Sequence, residues 1–173
     1  MAAGSTYTPI ASYTVTGSTS FTAISLSSIP QTYTDLILVI RSGVTNAGIS
    51  DSDIRMRPNN NSSSIYSETW LSGDGSSASS VGQFKYDNSL FYLGNTGSGG
   101  TVNTYHFMNY ANTTTYKTIM CRASNNYGGV VRSSVGLWKS TAAINQIWMD
   151  LNFQSSNDWS VGSNFSLYGI AAA

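Results

Sequence analysis

Charge is what this sequence has least of. Only 9% of its 173 residues are Asp, Glu, Lys or Arg, eight bases balance eight acids, and there is one histidine. A typical globular domain carries about a quarter charged residues. With no basic run and no net charge, the chain lacks the electrostatic footprint for nucleic acid or an anionic membrane surface, so neither is expected as a partner. No apolar run approaches the roughly 18 residues that mark a transmembrane helix. The opening Met1-Ala2-Ala3-Gly4-Ser5 has neither the basic nor the apolar region of a secretory signal. The single Cys121 permits no internal disulfide, and its strand-like setting fits a small buried apolar residue. Synthesis in a reducing cytoplasm is therefore expected, and Asn-x-Ser/Thr triplets such as those at Asn61 and Asn112 read as chance in an Asn/Ser-rich chain.

Residues for chemistry are equally sparse. His106 sits in "TYHFMNY", and no Gly-x-Ser-x-Gly elbow frames any serine as its partner. One His and one Cys do not make a zinc site. Asp51-Ser52-Asp53 lacks the glycine and distal glutamate of an EF-hand loop and reads as turn chemistry. The lone glutamate, Glu68, forms no glycosidase pattern with Asp74 or Asp87. The "GSGG" of Gly97–Gly100 has no following Lys or helix to cradle phosphate. The expectation is a protein that is not an enzyme, with no catalytic residue, metal or cofactor.

What the sequence has in quantity is neutral polarity and strand formers. Thirty Ser, 18 Thr and 15 Asn make up more than a third of the chain, so polarity comes from hydroxyls and amides that hydrogen-bond without repelling a neighbour. Thr, Tyr, Val, Ile, Phe and Trp recur in short runs between Gly/Ser/Asn punctuation, and no long window has a helical period. Strands are expected over 12–16, 21–26, 35–41, 53–57, 66–72, 83–86, 90–93, 102–110, 116–123, 130–138, 144–153 and 164–170. "PNNNSSS" (58–64), "SGDGSSASSVG" (72–82) and "GNTGSGGT" (94–101) read as surface loops. The fold expected is all-β, an antiparallel β-sandwich of jelly-roll kind, in one domain over residues 1–173 with 1–9 as an extended N-terminal arm. "TYTDLILVIR" (32–41) and "TYKTIMCRAS" (115–124) both open on Thr-Tyr and turn apolar, which fits either duplicated half-motifs or a common strand entry in a Thr-rich chain.

Alternation assigns faces. In 144–153, Ile147, Met149, Leu151 and Phe153 form a core face, leaving Trp148 outward among Gln146, Asp150 and Asn152. In 130–138, Val131, Val135 and Leu137 share a face with Ser133, so Arg132, Ser134 and Trp138 are expected outward unless Gly136 bulges the strand. The run Leu36-Ile37-Leu38-Val39-Ile40 is apolar on both faces and predicts a central strand covered on both sides, by core and by a loop or subunit. Eleven Tyr, four Trp and six Phe amid Ser, Gly and Asn match the composition of a recognition surface.

Five stretches, "YTPIASYTVTGSTS" (7–20), "SIPQTYTDLILVIR" (28–41), "NYANTTTYKTIMCR" (109–122), "VGLWKSTAAINQI" (135–147) and "FSLYGI" (165–170), resemble small β-structural virion proteins of tailed bacteriophages, including cyanophages. The region from about Thr45 to Thr101 carries no such signature. The resemblance implies a virion component. Together with the low charge, the aromatics and the compact chain, it makes the leading expectation a capsid decoration (cement) protein at the capsid surface, assembled in the bacterial host cytoplasm. It also implies partnership with the major capsid protein and a homotrimer at local three-fold positions. Contact residues expected for that role are Ala2, Ala3 and Tyr7 of the arm with Arg132, Trp138 and Trp148. The alternative is a tail or fibre module that stacks host glycan on Trp70 or Trp159, or on Trp138 or Trp148.

Overall fold

The computed structural model describes residues 6–17, 23–45, 52–125, 129–151 and 158–171, with backbone alone for 83–86 and 125. Its strands are β1 (Tyr7–Thr14), β2 (Ile24–Leu26), β3 (Asp35–Ser42), β4 (Ser52–Pro58), β5 (Tyr66–Gly73) and β6 (Ala78–Asp87). They continue as β7 (Leu90–Thr96), β8 (Thr101–Phe107), β9 (Lys117–Asn125), β10 (Val130–Trp138), β11 (Ile147–Leu151) and β12 (Asn164–Ile170). They form an eight-stranded sheet, β1-β12-β3-β8-β9-β10-β5-β6, and a four-stranded sheet, β2-β11-β4-β7, with every pairing antiparallel. The chain is an all-β sandwich.

Eight strands interleave: β1, β3, β8 and β12 lie in the large sheet while β2, β4, β7 and β11 lie in the small one, so the chain keeps crossing the core. The hairpins β5-β6 and β9-β10 extend the large sheet beyond β8. Alternating side chains of both sheets meet between them. Leu36, Leu38 and Ile40 of β3, Phe165 and Leu167 of β12, and Tyr105 and Phe107 of β8 pack over Ile54 and Met56 of β4 and Ile147 and Met149 of β11. Cys121 is buried in this core, and the burial pushes its thiol pKa well up. Burying a side chain of this kind contributes roughly 1.5–3 kcal/mol, so these positions dominate stability.

Several expectations change here. Tyr7–Pro9 are not a free arm: they open β1, which pairs with β12 from Tyr7↔Ile170 onward. The stretch 72–82 is mostly strand. Only Asp74–Ser77 turn, where the Asp74 carboxylate accepts from the Ser76 and Ser77 amides at 2.8 and 2.7 Å. The two Thr-Tyr echoes feed β3 and β9, which flank β8 in the same sheet.

The face of β10 is the reverse of the expected one. Ser134, Gly136 and Trp138 point into the core and Val131 and Val135 point out. Gly136 explains the inversion. A methyl group there would sit 2.8 Å from Leu90 Cδ2 and 2.9 Å from Leu93 Cδ1, so β7 packs its two leucines onto the bare backbone. The small inward residues of β10 are the socket for β7, and Trp138 closes the end of that row.

Candidate functional site

The outer face of the small sheet is built by strict alternation on β4 and β11. Ile54, Met56, Ile147 and Met149 go inward, which turns Asp53, Arg55, Arg57, Trp148 and Asp150 outward. Register then sets Trp148 beside Arg57 and Asp150 beside Arg55. Arg55 donates Nε to Asp150 Oδ1 at 2.7 Å and a second nitrogen to Oδ2, a forked pair that fixes both planes. The guanidinium carbons of Arg55 and Arg57 lie 5.3 and 4.9 Å from the Trp148 ring centroid, and that of Arg55 lies 5.9 Å from the ring of Phe91. Arg57 also donates Nε to the Asn88 carbonyl at 3.1 Å. Desolvation, helped by repulsion from Arg55, lowers the Arg57 pKa.

The strip continues across β7 onto the large sheet. Phe91 adjoins Tyr92 at 6.3 Å between ring centroids, and Tyr92 lies 5.0 Å from Trp70 of β5. Trp70 in turn lies 5.4 Å under the Arg132 guanidinium, and Arg132 donates to Asp53 Oδ1 at 3.3 Å. Beneath the rings, Glu68 accepts from the amides of Phe91 at 3.3 Å and Tyr92 at 3.1 Å. These donors face it because β7 slips register against β4 between Ile54 and Met56. Glu68 is 5% exposed. Burial pushes its carboxyl up to about 7, against the pull of the two amides toward the charged form. Guanidinia over rings at both ends flank the three adjoining rings Phe91, Tyr92 and Trp70, and the strip's charges are engaged within it.

The outer face of the large sheet is different. One row in register runs Tyr168, Ile37, His106, Met120, Val135 and Thr69 across six strands. Beside it stand Leu71, 60% exposed, and Val131, 61% exposed, with Val102 nearby. The ionisable groups on this face are few. His106 Nε2 lies 2.8 Å from Asp35 Oδ2, and the second oxygen of Asp35 accepts from the Asn109 amide at 2.7 Å. Asp35 therefore ties β3 to the turn after β8, and among the described residues no serine hydroxyl bonds His106. Arg41 and Arg122 are exposed, and neither makes an ion pair among the described residues.

The structure brings together Arg132 and Trp70 and places Trp148 on the same strip. It separates the others. Trp138, expected outward, is 1% exposed, for the reason given by Gly136. Trp159, expected as a stacking platform, is also 1% exposed, with its ring perpendicular to that of Phe165 at 4.9 Å, so it offers no face to a sugar. Tyr7 is exposed on the edge strand with its ring edge-on to Tyr168. Ala2 and Ala3 lie outside the described residues, as does Asp51, while Asp53 bonds Arg132. Sequence reasoning missed Arg55, Phe91 and Tyr92. The alternation Asp53-Ile54-Arg55-Met56-Arg57 carried the signal: three charges on one face of a strand in a chain that has few.

No family model, curated protein or solved structure matches this chain.

Proposed function

We propose that the protein acts by contact as a capsid decoration protein of a phage particle, covering junctions between major capsid subunits at the particle surface. The observation that carries this reading is the outer face of the large sheet. It is broad, runs in continuous register, carries few ionisable groups and is studded with exposed Leu71, Val131, Val135, Val102 and Met120. Such a face can be covered where a partner supplies acceptors to Arg41 and Arg122, and contiguous apolar patches of this kind mark interaction sites. A standard interface buries about 800 Å² per partner, and repetition around a shell multiplies it. The interleaving of β1-β12-β3-β8 with β2-β11-β4-β7 supports a jelly-roll reading, an architecture that viral capsid domains and lectins share. Mass spectrometry of purified particles tests the assignment. Copy numbers on the order of hundreds, as a symmetric shell requires, support it; trace amounts or absence overturn it.

A second reading, a glycan-binding tail module, is favoured by one feature. Trp70 and Tyr92 are half-buried rings beside the Arg132–Asp53 pair, which supplies polar groups at the rim of an aromatic patch. It predicts binding to host polysaccharide that Trp70→Ala abolishes.

A further inference from the structure

Two cavities of about 760 Å³ each open at one end of the large sheet's outer face, and they meet at Val131. The first lies between Arg41, Val102 and the turns at 98–100 and 160–163. The second lies between Arg122, Leu71 and Ser80. Register explains why they run together. Arg41, Val102, Ser124, Val131, Gly73 and Ala78 form one outward row across six strands. Val39, Thr104, Arg122, Ser133, Leu71 and Ser80 form the next. Strand spacing of about 4.8 Å makes the joined groove roughly 24 Å long. One end wall is braced from behind: the Ser160 amide donates to the Gly43 carbonyl at 2.9 Å, and the Gly43 amide donates to Ser163 Oγ at 3.2 Å.

The chemistry of the lining is one-sided. Arg41 and Arg122 are exposed, and the floor carries the exposed Val102, Val131 and Leu71. Arg132 also adjoins the second cavity, but its guanidinium is turned to Asp53 on the other side of the sheet. Asp74, in the turn beyond Gly73, commits its carboxylate to the Ser76 and Ser77 amides. Among the described residues neither cavity is lined by an acid or an aromatic ring. Guanidinium forks select carboxylates or phosphates. An aliphatic floor selects apolar side chains over bases and sugar rings, which bind by stacking on aromatic faces.

We propose that this groove binds an extended polypeptide segment of a partner protein, with two carboxylates four residues apart and an aliphatic side chain between them. The spacing follows from the sheet. Arg41 and Arg122 stand two strands and two residues apart, roughly 12 Å, and Val102 lies on the strand between them. An extended chain sets residues four apart on one face at about 13 Å, with the middle one over Val102. A further aliphatic residue two positions on reaches Val131, and the hydroxyls of Ser124 and Ser133 flank the segment's backbone. The inference deepens the contact reading above by naming what the partner presents at this face. It rests on that reading for the partner's identity alone.

Nuclear magnetic resonance titration of the full chain with a synthetic peptide, Ser-Asp-Thr-Val-Thr-Asp-Thr-Val-Ser, tests it. Amide shifts should concentrate at Arg41 and over 102–104, 122–124 and 131–133. Replacing both Asp of the peptide by Asn should weaken binding at least about tenfold. Arg41→Glu and Arg122→Glu should each weaken it at least about fivefold, and the chain carrying both should instead bind the peptide with Lys at the two Asp positions. No binding by the wild type, equal binding of the Asn peptide, or shifts along the Arg55–Trp148 strip overturn the proposal. So does tighter binding of polygalacturonate, which would make the groove a site for an acidic glycan. Should a variant fail to fold, the wild-type titrations decide alone. The capsid reading stands or falls on copy number in particles. Particle-bound protein that ignores the peptide overturns the groove and leaves that reading intact; peptide binding by a chain absent from particles does the reverse.

Discussion

On the small sheet, outward charges are bound into a strip: Arg55 to Asp150, Arg132 to Asp53, and Arg57 over Trp148. On the large sheet, the outward residues are aliphatic or hydroxylated, and Arg41 and Arg122 stand without ion pairs among the described residues. The strip is self-satisfied, and its substitutions should be felt within the molecule. The open face has spare contacts, and its substitutions should be felt by whatever covers it.

The largest effect should come from beneath the strip. Glu68→Ala leaves two amides without their acceptor, and an orphaned buried donor costs about 1–3 kcal/mol; urea unfolding at pH 5.5 should show a loss of that order or somewhat more. The same residue makes stability depend on pH. The folded carboxyl keeps its proton up to about 7 while the unfolded one releases it near 4.5. The unfolded state thus binds fewer protons between these values, and deprotonation favours unfolding. Stability from Glu68 is full below pH 4.5 and falls, by on the order of 3 kcal/mol, as pH rises to 7 and beyond. The Glu68→Gln variant, neutral throughout, should lack this decline when the two stability–pH curves are subtracted.

A smaller effect is expected on the strip itself. Arg55→Met breaks the forked pair and strands a partly buried Asp150, with side chains 23% and 17% exposed. Solvent screening holds the loss to about 1–2 kcal/mol. Smallest of all, Val131→Lys on the open face should change unfolding free energy by about 0.5 kcal/mol or less. Its effect should appear in retention on particles instead. A Val131→Lys chain that unfolds easily, or an Arg55→Met chain that does not, would erase the distinction between the faces.

Most of the frame could be read from residue order. All twelve expected strand regions contain strands, and alternation in Ile147–Leu151 gave the inward Ile147 and Met149, while the outer face of Asp35–Arg41, expected to be covered, leaves Ile37 and Val39 half-buried. Errors arose where a neighbour distant in sequence decides. Gly136 looks like a flaw in an aliphatic strand until Leu90 and Leu93 are seen to occupy its place, and with that knowledge Trp138 turns inward. Trp159 looks like a loop tryptophan because its partners, Val44 and Phe165, belong to other segments. Glu68 reads in sequence as an acid without a pattern. Its role depends on a register slip in the opposite sheet, which no local window contains.

The interleaved strand order also bears on how the chain reaches this shape. β12 lies between β1 and β3, hydrogen-bonded to both, although nearly the whole described chain separates it from β1 in sequence. Among the described residues β1 has no other neighbour, so it cannot pair until Asn164–Ile170 has been made. Such distant pairings close slowly. Nascent chains stalled before Asn164 should therefore remain open to proteases and chaperones, and this edge of the sheet should close only once β12 has been made.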